Sequence, residues 1–428
     1  MASQARALVT GIGALCATGT DVEAIWDAVV AESSAIGPIS KWDASAWPVG
    51  IAAEITGVSP RTLVPDRKLH KFIRRTDMFG LYAASAAIDV SALATYRDGL
   101  EPALAATFSD RSGIFDGSGG GAYETQYDYF PLLDAADGSL EAFGRELDSN
   151  VSPMWLLQTL PNNVLCHVGI RYGLKGTNAC ITSHSASSLL AVIEGVEALR
   201  ANEADRAVVV AHDALIEPQS LLYYDAAGLL SSEALRPFDS RRDGSVFGEG
   251  AAAIVVETEE SARERGAAVF GEILGGAETA DALGVLEIGN DGDGLARAIA
   301  LALDDAGLVA EDVGMVIAHG NGTQRSDRTE AAAIRSVFGA GVPPMTSFKW
   351  SFGHLIAASG MLDVVLALEC LRRGVVPRIG TLEMPDPDFD DLPIAQVAGV
   401  PTSDVALVLN RGFAGTNSAV LVRAARPL

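Results

Sequence analysis

Positive charge is scarce in this 428-residue chain: 31 Lys and Arg stand against 55 Asp and Glu, a formal net charge of −24. A surface this acidic repels phosphate backbones and anionic lipid, which excludes a non-specific binder of nucleic acid or membrane surface. Cysteine is scarce too. Cys16, Cys166, Cys180 and Cys370 lie far apart with no CxxC pair, which excludes a disulfide scaffold and a zinc ribbon and fits a reducing compartment. No apolar run reaches the ~18 residues a membrane helix needs. GxxxxGK[ST] and HExxH are absent, so neither a P-loop nor a zincin is expected. The opening stretch MASQARALVTGIGALCATG has the look of a secretory leader, but its GIG reads better as a strand followed by a turn. We expect a cytoplasmic protein without a metal.

Apolar residues, 49% of the chain, are plentiful enough for a large core. Short apolar runs read as buried strands: Ala7–Val9, Ser112–Phe115, Ala207–Ala211, Ala251–Val256, Phe270–Leu274, Met315–Ala318, Val405–Leu409 and Ala419–Val422. Helical periodicity marks Asp21–Glu32, with Thr20 and Glu23 as a capping box, then Leu81–Leu93, Ala186–Ala201 and Leu295–Leu308. Strand, helix and strand recur in the same order in residues 6–120 and 269–320, which suggests an α/β protein of two related halves. GIG at Gly11–Gly13 and GSGGG at Gly117–Gly121 lack the GxGxxG spacing and are read as turns and close packing rather than a dinucleotide site.

Chemistry-bearing residues gather at strand–helix junctions. In GTNACITSHSASSLLAV, Ser185 falls where a strand gives way to a helix, at the positive end of that helix. It is either a plain N-cap or a nucleophile with backbone N–H donors beside it. His319 follows a strand in IAHGNGTQRSDRTE, and Lys349 and His354 precede a helix in TSFKWSFGHLIAASG. LNRGFAGTN turns between two strands, and RKLHKFIRR (67–75) is a basic cluster in an acidic chain.

Together these motifs resemble the β-ketoacyl-[acyl carrier protein] synthases. RPFDSRRDGSVFGEGAA (236–252) resembles RPFDxxRDGFVxGEGA; HGNGTQRSDRTE resembles HGTGTxxxDxxE; FKWSFGH and FAGTN resemble the family's TKSxxGH and FGGTN. DRTEAAA is closer to bacterial aromatic polyketide synthases than to those of primary fatty acid synthesis. The resemblance implies a thiolase-like five-layer αβαβα sandwich of two related halves, residues 1–260 carrying the nucleophile position and 261–428 carrying two histidines. It implies a Cys-His-His site in which the Cys takes the acyl group as a thioester. The histidines promote decarboxylation of a malonyl unit and hold the enolate oxygen. By motif the histidines are His319 and His354, with Lys349 and Glu330 as a supporting ion pair. Thr323 and Asn321 would contact the pantetheine arm. Phe413 and Gly415 lie in the oxyanion and gating loop, Asp116 at an acyl-pocket position, and Lys71, Arg74 and Arg75 at carrier-protein docking positions.

The same register puts Ser185, not Cys180, at the nucleophile position. A serine cannot ionise usefully there and needs an adjacent base, for which His354 or His319 would serve. Asn321, Arg411, Asp116 and His184 also depart from the family's usual residues. Two functions follow as expectations: a chain-length-factor-like partner of a Cys-containing ketosynthase, or an active Ser185 acyltransferase or malonyl-carrier decarboxylase. An engineered Cys→Ser change in an ordinary ketosynthase is a third. No bound cofactor is expected beyond the phosphopantetheine of an acyl carrier protein, and the dimer is expected to be hetero- or homotypic.

Overall fold

The computed structural model describes residues 5–120, 127 and 129–425. Ten strands form one mixed sheet: β1 (Ala7–Cys16), β2 (Ser112–Ser118), β3 (Asn178–Ile181), β4 (Arg206–Ala214), β5 (Glu249–Thr258), β6 (Gly271–Ala280), β7 (Met315–Ile317), β8 (Met345–Thr346), β9 (Val405–Arg411) and β10 (Thr416–Ala424). Their spatial order is β8-β7-β9-β10-β6-β1-β5-β4-β2-β3. The two halves of this order repeat one topology. In the first, β3, β2 and β4 run parallel, and β5 and β1 follow antiparallel. In the second, β8, β7 and β9 run parallel, and β10 and β6 follow antiparallel. Within the sheet the described strands of the two halves join where Ala7–Val9 pairs with Gly271–Ile273.

Helices complete the layers. Helices α2 (Ser187–Arg200) and α5 (Ser359–Arg373) touch each other and strands of both halves, so they form the middle layer. Helix α1 (Arg75–Ser91) covers β1, β4 and β5; α3 (Asp293–Ala306) covers β6 and β10, with α4 (Gln324–Phe338) against it. This is the thiolase-like sandwich. Double-sided burial explains why the central strands are continuous apolar runs rather than alternating ones; β1 and β9 are buried at every residue.

Two local expectations change. GIG makes no turn, because β1 runs on to Cys16. Its glycines are close-approach positions: a Cβ at Gly13 would collide with the Ala83 carbonyl of α1. The helix at Val22–Val30 is capped by Asp21, whose carboxylate accepts from the Ala24 N–H at 2.8 Å, and not by Thr20. In GSGGG, Gly117 and Ser118 end β2, and Gly121 lies outside the described residues.

Candidate active site

The turn after β3 sets the first half of the site. His184–Ala186 form a single 3₁₀ turn before α2, entered through His184 in the left-handed region at φ 52°. Ser187 holds this turn: its hydroxyl accepts from the Ser183 N–H at 2.8 Å and donates to the His184 carbonyl at 2.7 Å. Ser185 is therefore no N-cap. It is buried, and its Oγ lies 3.2 Å from His354 Nε2 and 3.0 Å from His184 Nδ1. Cys180 sits back in β3, its Sγ 3.5 Å from the Pro161 carbonyl, and burial pushes its thiol up to about 12. A thiol so hard to ionise is a poor nucleophile.

The second half is built around α5 by an equivalent turn, with Ile356 left-handed at φ 45°. The segment before it docks on the end of β5: the His354 N–H donates to the Val246 carbonyl at 2.7 Å, and the Gly248 N–H donates to the His354 carbonyl at 3.0 Å. A Cβ on Gly248 would strike the Phe352 carbonyl, which is why the GEG motif belongs here. His354 Nδ1 receives the Ile356 N–H at 3.2 Å and lies 2.8 Å from Ser359 Oγ. A backbone N–H only donates, so Nδ1 is an acceptor. The neutral ring then carries its hydrogen on Nε2, facing Ser185.

His319 leaves the end of β7 with its ring 5.3 Å from that of His354, edge to face. The backbone N–H groups of His319 and Gly320 donate to the two Glu330 oxygens at 2.6 and 3.0 Å. Burial first, then the nearby Lys349 ammonium, holds both histidines well below the usual imidazole value. Both are neutral at pH 7 and serve as hydrogen-bonding groups rather than cations.

Three expectations need correction. Lys349 pairs with Asp363 of α5 at 2.9 Å, both groups fully buried, and not with Glu330, whose carboxylate is taken by the two amides. Asp116 is not among the residues lining the cleft beside Ser185: it points from β2 to the α1 side, where His212 Nε2 lies 3.4 Å away and His212 Nδ1 meets Thr76 Oγ1 at 3.0 Å. Alternation along a strand decides this, since neighbours face opposite sides. Arg75 is tied to the buried Glu249 at 2.6 Å, leaving Lys71 exposed and Arg74 half-buried in the basic segment.

A cleft of about 270 Å³ joins Ser185, His319, His354, Asn321, Thr323 and the 412–415 loop, Gly415 included. Asn321 Oδ1 accepts from the Thr323 N–H and hydroxyl at 3.0 and 2.9 Å, shaping the turn that lines it. Phe413 lies flat against His184, centroids 4.2 Å apart, and His184 Nε2 meets the Tyr224 hydroxyl. Arg411 is accommodated by donating to Asn417 Oδ1 at 2.9 Å and Thr329 Oγ1 at 2.6 Å.

The amino-acid sequence matches the beta-ketoacyl synthase N-terminal domain over residues 5–262 and its C-terminal domain over residues 270–383. The chain belongs to the beta-ketoacyl synthase family. It is 31% identical over 427 residues to a 3-oxoacyl-[acyl-carrier-protein] synthase 2 of Coxiella burnetii, covering 97% of this chain and 98% of that protein. It is 33% identical over 428 residues to a polyketide beta-ketoacyl synthase described as putative from Streptomyces cyaneus, covering 97% of each. A beta-ketoacyl synthase from Burkholderia phymatum superposes with a TM-score of 0.87 at 26% identity, over 99% of this chain and 100% of that one. The ishigamide ketosynthase/chain length factor superposes at 0.85 and 26% identity, over the same shares. The chain is thus a beta-ketoacyl synthase homologue of fatty acid or polyketide biosynthesis.

Sequence reasoning missed Asp363 and Tyr224 in this family site. Asp363 carried a signal, a lone acid in the apolar SGMLDVVLAL helix; Tyr224 carried none. His184 was visible only as a departure. Burial pushes its imidazole down to about 4 from 6.5. The unfolded chain takes up this proton near 6.5 and the folded site refuses it, so His184 favours folding above 6.5 and costs stability as pH falls towards 4. His184→Asn is expected to flatten the loss of urea-unfolding stability between about pH 6.5 and pH 4.5. An unchanged slope would remove His184 from that account.

Proposed function

We propose that this synthase homologue decarboxylates a malonyl unit presented on the phosphopantetheine arm of an acyl carrier protein, with condensation limited by Ser185. The observation that carries this reading is the pair of neutral, buried histidines facing an open cleft, His354 with Nε2–H turned inward. As the carboxylate leaves as CO2, its electron pair passes into the thioester as an enolate. Preorganised neutral donors stabilise the enolate oxygen without reorganising. Thr323 and Asn321 line the approach for the arm, and the exposed Arg67, Lys68 and Lys71 offer an acidic carrier a positive edge. The chemistry needs no metal or further cofactor. Four free cysteines fit the cytoplasm; among the described residues no helix is long and apolar enough to cross a membrane.

Incubation with malonyl-carrier protein tests this. Mass spectrometry is expected to show acetyl-carrier accumulating; no acetyl-carrier above the enzyme-free control would sink the reading. Ser185→Cys is expected to raise condensation by about tenfold or more, because a thioester is more activated toward carbanion attack than an oxyester. Radiolabelled acyl transfer to malonyl-carrier would measure it.

A second reading, a chain-length-factor-like partner of a Cys-containing ketosynthase, is supported by Ser185 and by the likeness to the ketosynthase/chain length factor structure. Strand β3 ends the sheet with its residues partly exposed, an edge suited to pairing with a second chain. Co-expression would distinguish a heterodimer from a homodimer.

A further inference from the structure

We propose that Ser185 is an acyl-accepting nucleophile whose proton acceptor is His184, the residue beside it, and not His354. The proposal rests on the reading that thioesters reach this cleft on a pantetheine arm, and adds an activity to it: transfer of an acyl group to Ser185.

The geometry leaves one acceptor at the serine hydroxyl. Two imidazole nitrogens approach Ser185 Oγ, His354 Nε2 at 3.2 Å and His184 Nδ1 at 3.0 Å. His354 Nε2 carries hydrogen, because the Ile356 N–H occupies Nδ1. It donates to Oγ and has no lone pair for the serine proton. The serine hydrogen therefore points to His184 Nδ1. His184 Nε2 meets the Tyr224 hydroxyl, which accepts its hydrogen and completes that tautomer. The ring is held flat against Phe413 and within 5.7 Å of Tyr224, centroid to centroid. Its left-handed backbone at φ 52° is a local strain at the residue before the reacting hydroxyl. Such strain persists where surrounding contacts over-determine it, here the Ser187 bonds that lock the turn.

The step balances without a co-reactant. Oγ attacks the thioester carbonyl carbon as its proton passes to His184 Nδ1. Ser185 and Phe413 line the same cleft, and their backbone N–H groups are assigned to the oxyanion. Collapse breaks the carbon–sulfur bond, the imidazolium returns its proton to the thiolate, and the products are an O-acyl-Ser185 and a free pantetheine thiol. A ring pushed down to about 4 is free base at neutral pH and, once protonated, more acidic than an ordinary imidazolium. It gives its proton readily to sulfur, but its weakness as a base keeps acylation slow.

A double-mutant cycle on the full chain tests this, with an acyl-pantetheine thioester as probe and intact-protein mass with peptide mapping as readout. The native protein is expected to gain an acyl group on Ser185, and His184→Asn to slow this about 100-fold. In a Ser185→Cys background the same change is expected to cost far less, because a thiolate needs no partner to take its proton. Equal losses in both backgrounds would show a structural role and overturn the proposal, as would His354→Asn costing more than His184→Asn. If His184→Asn fails to fold, Tyr224→Phe replaces it, with a smaller loss confined to the Ser185 background. No adduct alongside acetyl-carrier formation overturns this inference and leaves the decarboxylase reading; an adduct without acetyl-carrier does the reverse.

Discussion

Replacing His354 by Ala is expected to slow CO2 release from malonyl-carrier protein by about 10²–10³-fold, the usual cost of losing one preorganised donor to a developing oxyanion. The ring is buried, neutral and fixed at Nδ1 by the Ile356 N–H and Ser359. The ring is held in place before the enolate forms, so the lost interaction is one that strengthens in the transition state. The loss should therefore fall on kcat and kcat/KM alike, with KM little changed. His319→Ala should act in the same direction, and the double variant should cost less than the product of the two. Ser359→Ala should cost much less, because the Ile356 amide still orients the ring. Rates within about threefold of native for both histidine variants would remove the pair from the reaction.

Asp363→Ala is expected to destabilise the fold by about 3–5 kcal/mol, because it strands the Lys349 ammonium in a dry interior. Lys349 and Asp363 are fully buried 2.9 Å apart, far from the screening that makes surface pairs worth little. Substituting both, as Lys349→Met with Asp363→Leu, should recover most of that loss, since an apolar pair of similar size carries no desolvation cost. The same double change removes the charge that helps hold His319 and His354 neutral. Urea unfolding of the three variants measures the first effect. A single-variant loss below about 1 kcal/mol would contradict the pair's assignment as a buried structural bridge.

The central strands were legible as apolar runs because they are shielded on both faces; their order in the sheet was not. Helix α2 was legible within a residue at each end, its apolar stripe unbroken from Leu189 to Leu199. The GIG turn was misread because a glycine inside a strand and a glycine at a turn are the same letter; the difference is α1 lying against β1. Arg75 was misread for a similar reason. A charged run reads alike whether its members face water or, as here, one reaches inward to Glu249.

Sequence alone determined the fold class, the family and the positions of Ser185, His319 and His354, because apolar runs and motif spacings are local and survive as patterns along the chain. Tertiary structure alone decided what those residues do to one another. Lys349 meets Asp363 across a helix turn and a loop, Asp116 faces His212 through the pleat of its strand, and an amide two residues on from His354 sets which nitrogen keeps its hydrogen. Each outcome depends on direction and on distances of about 3 Å, which spacing along a chain does not encode.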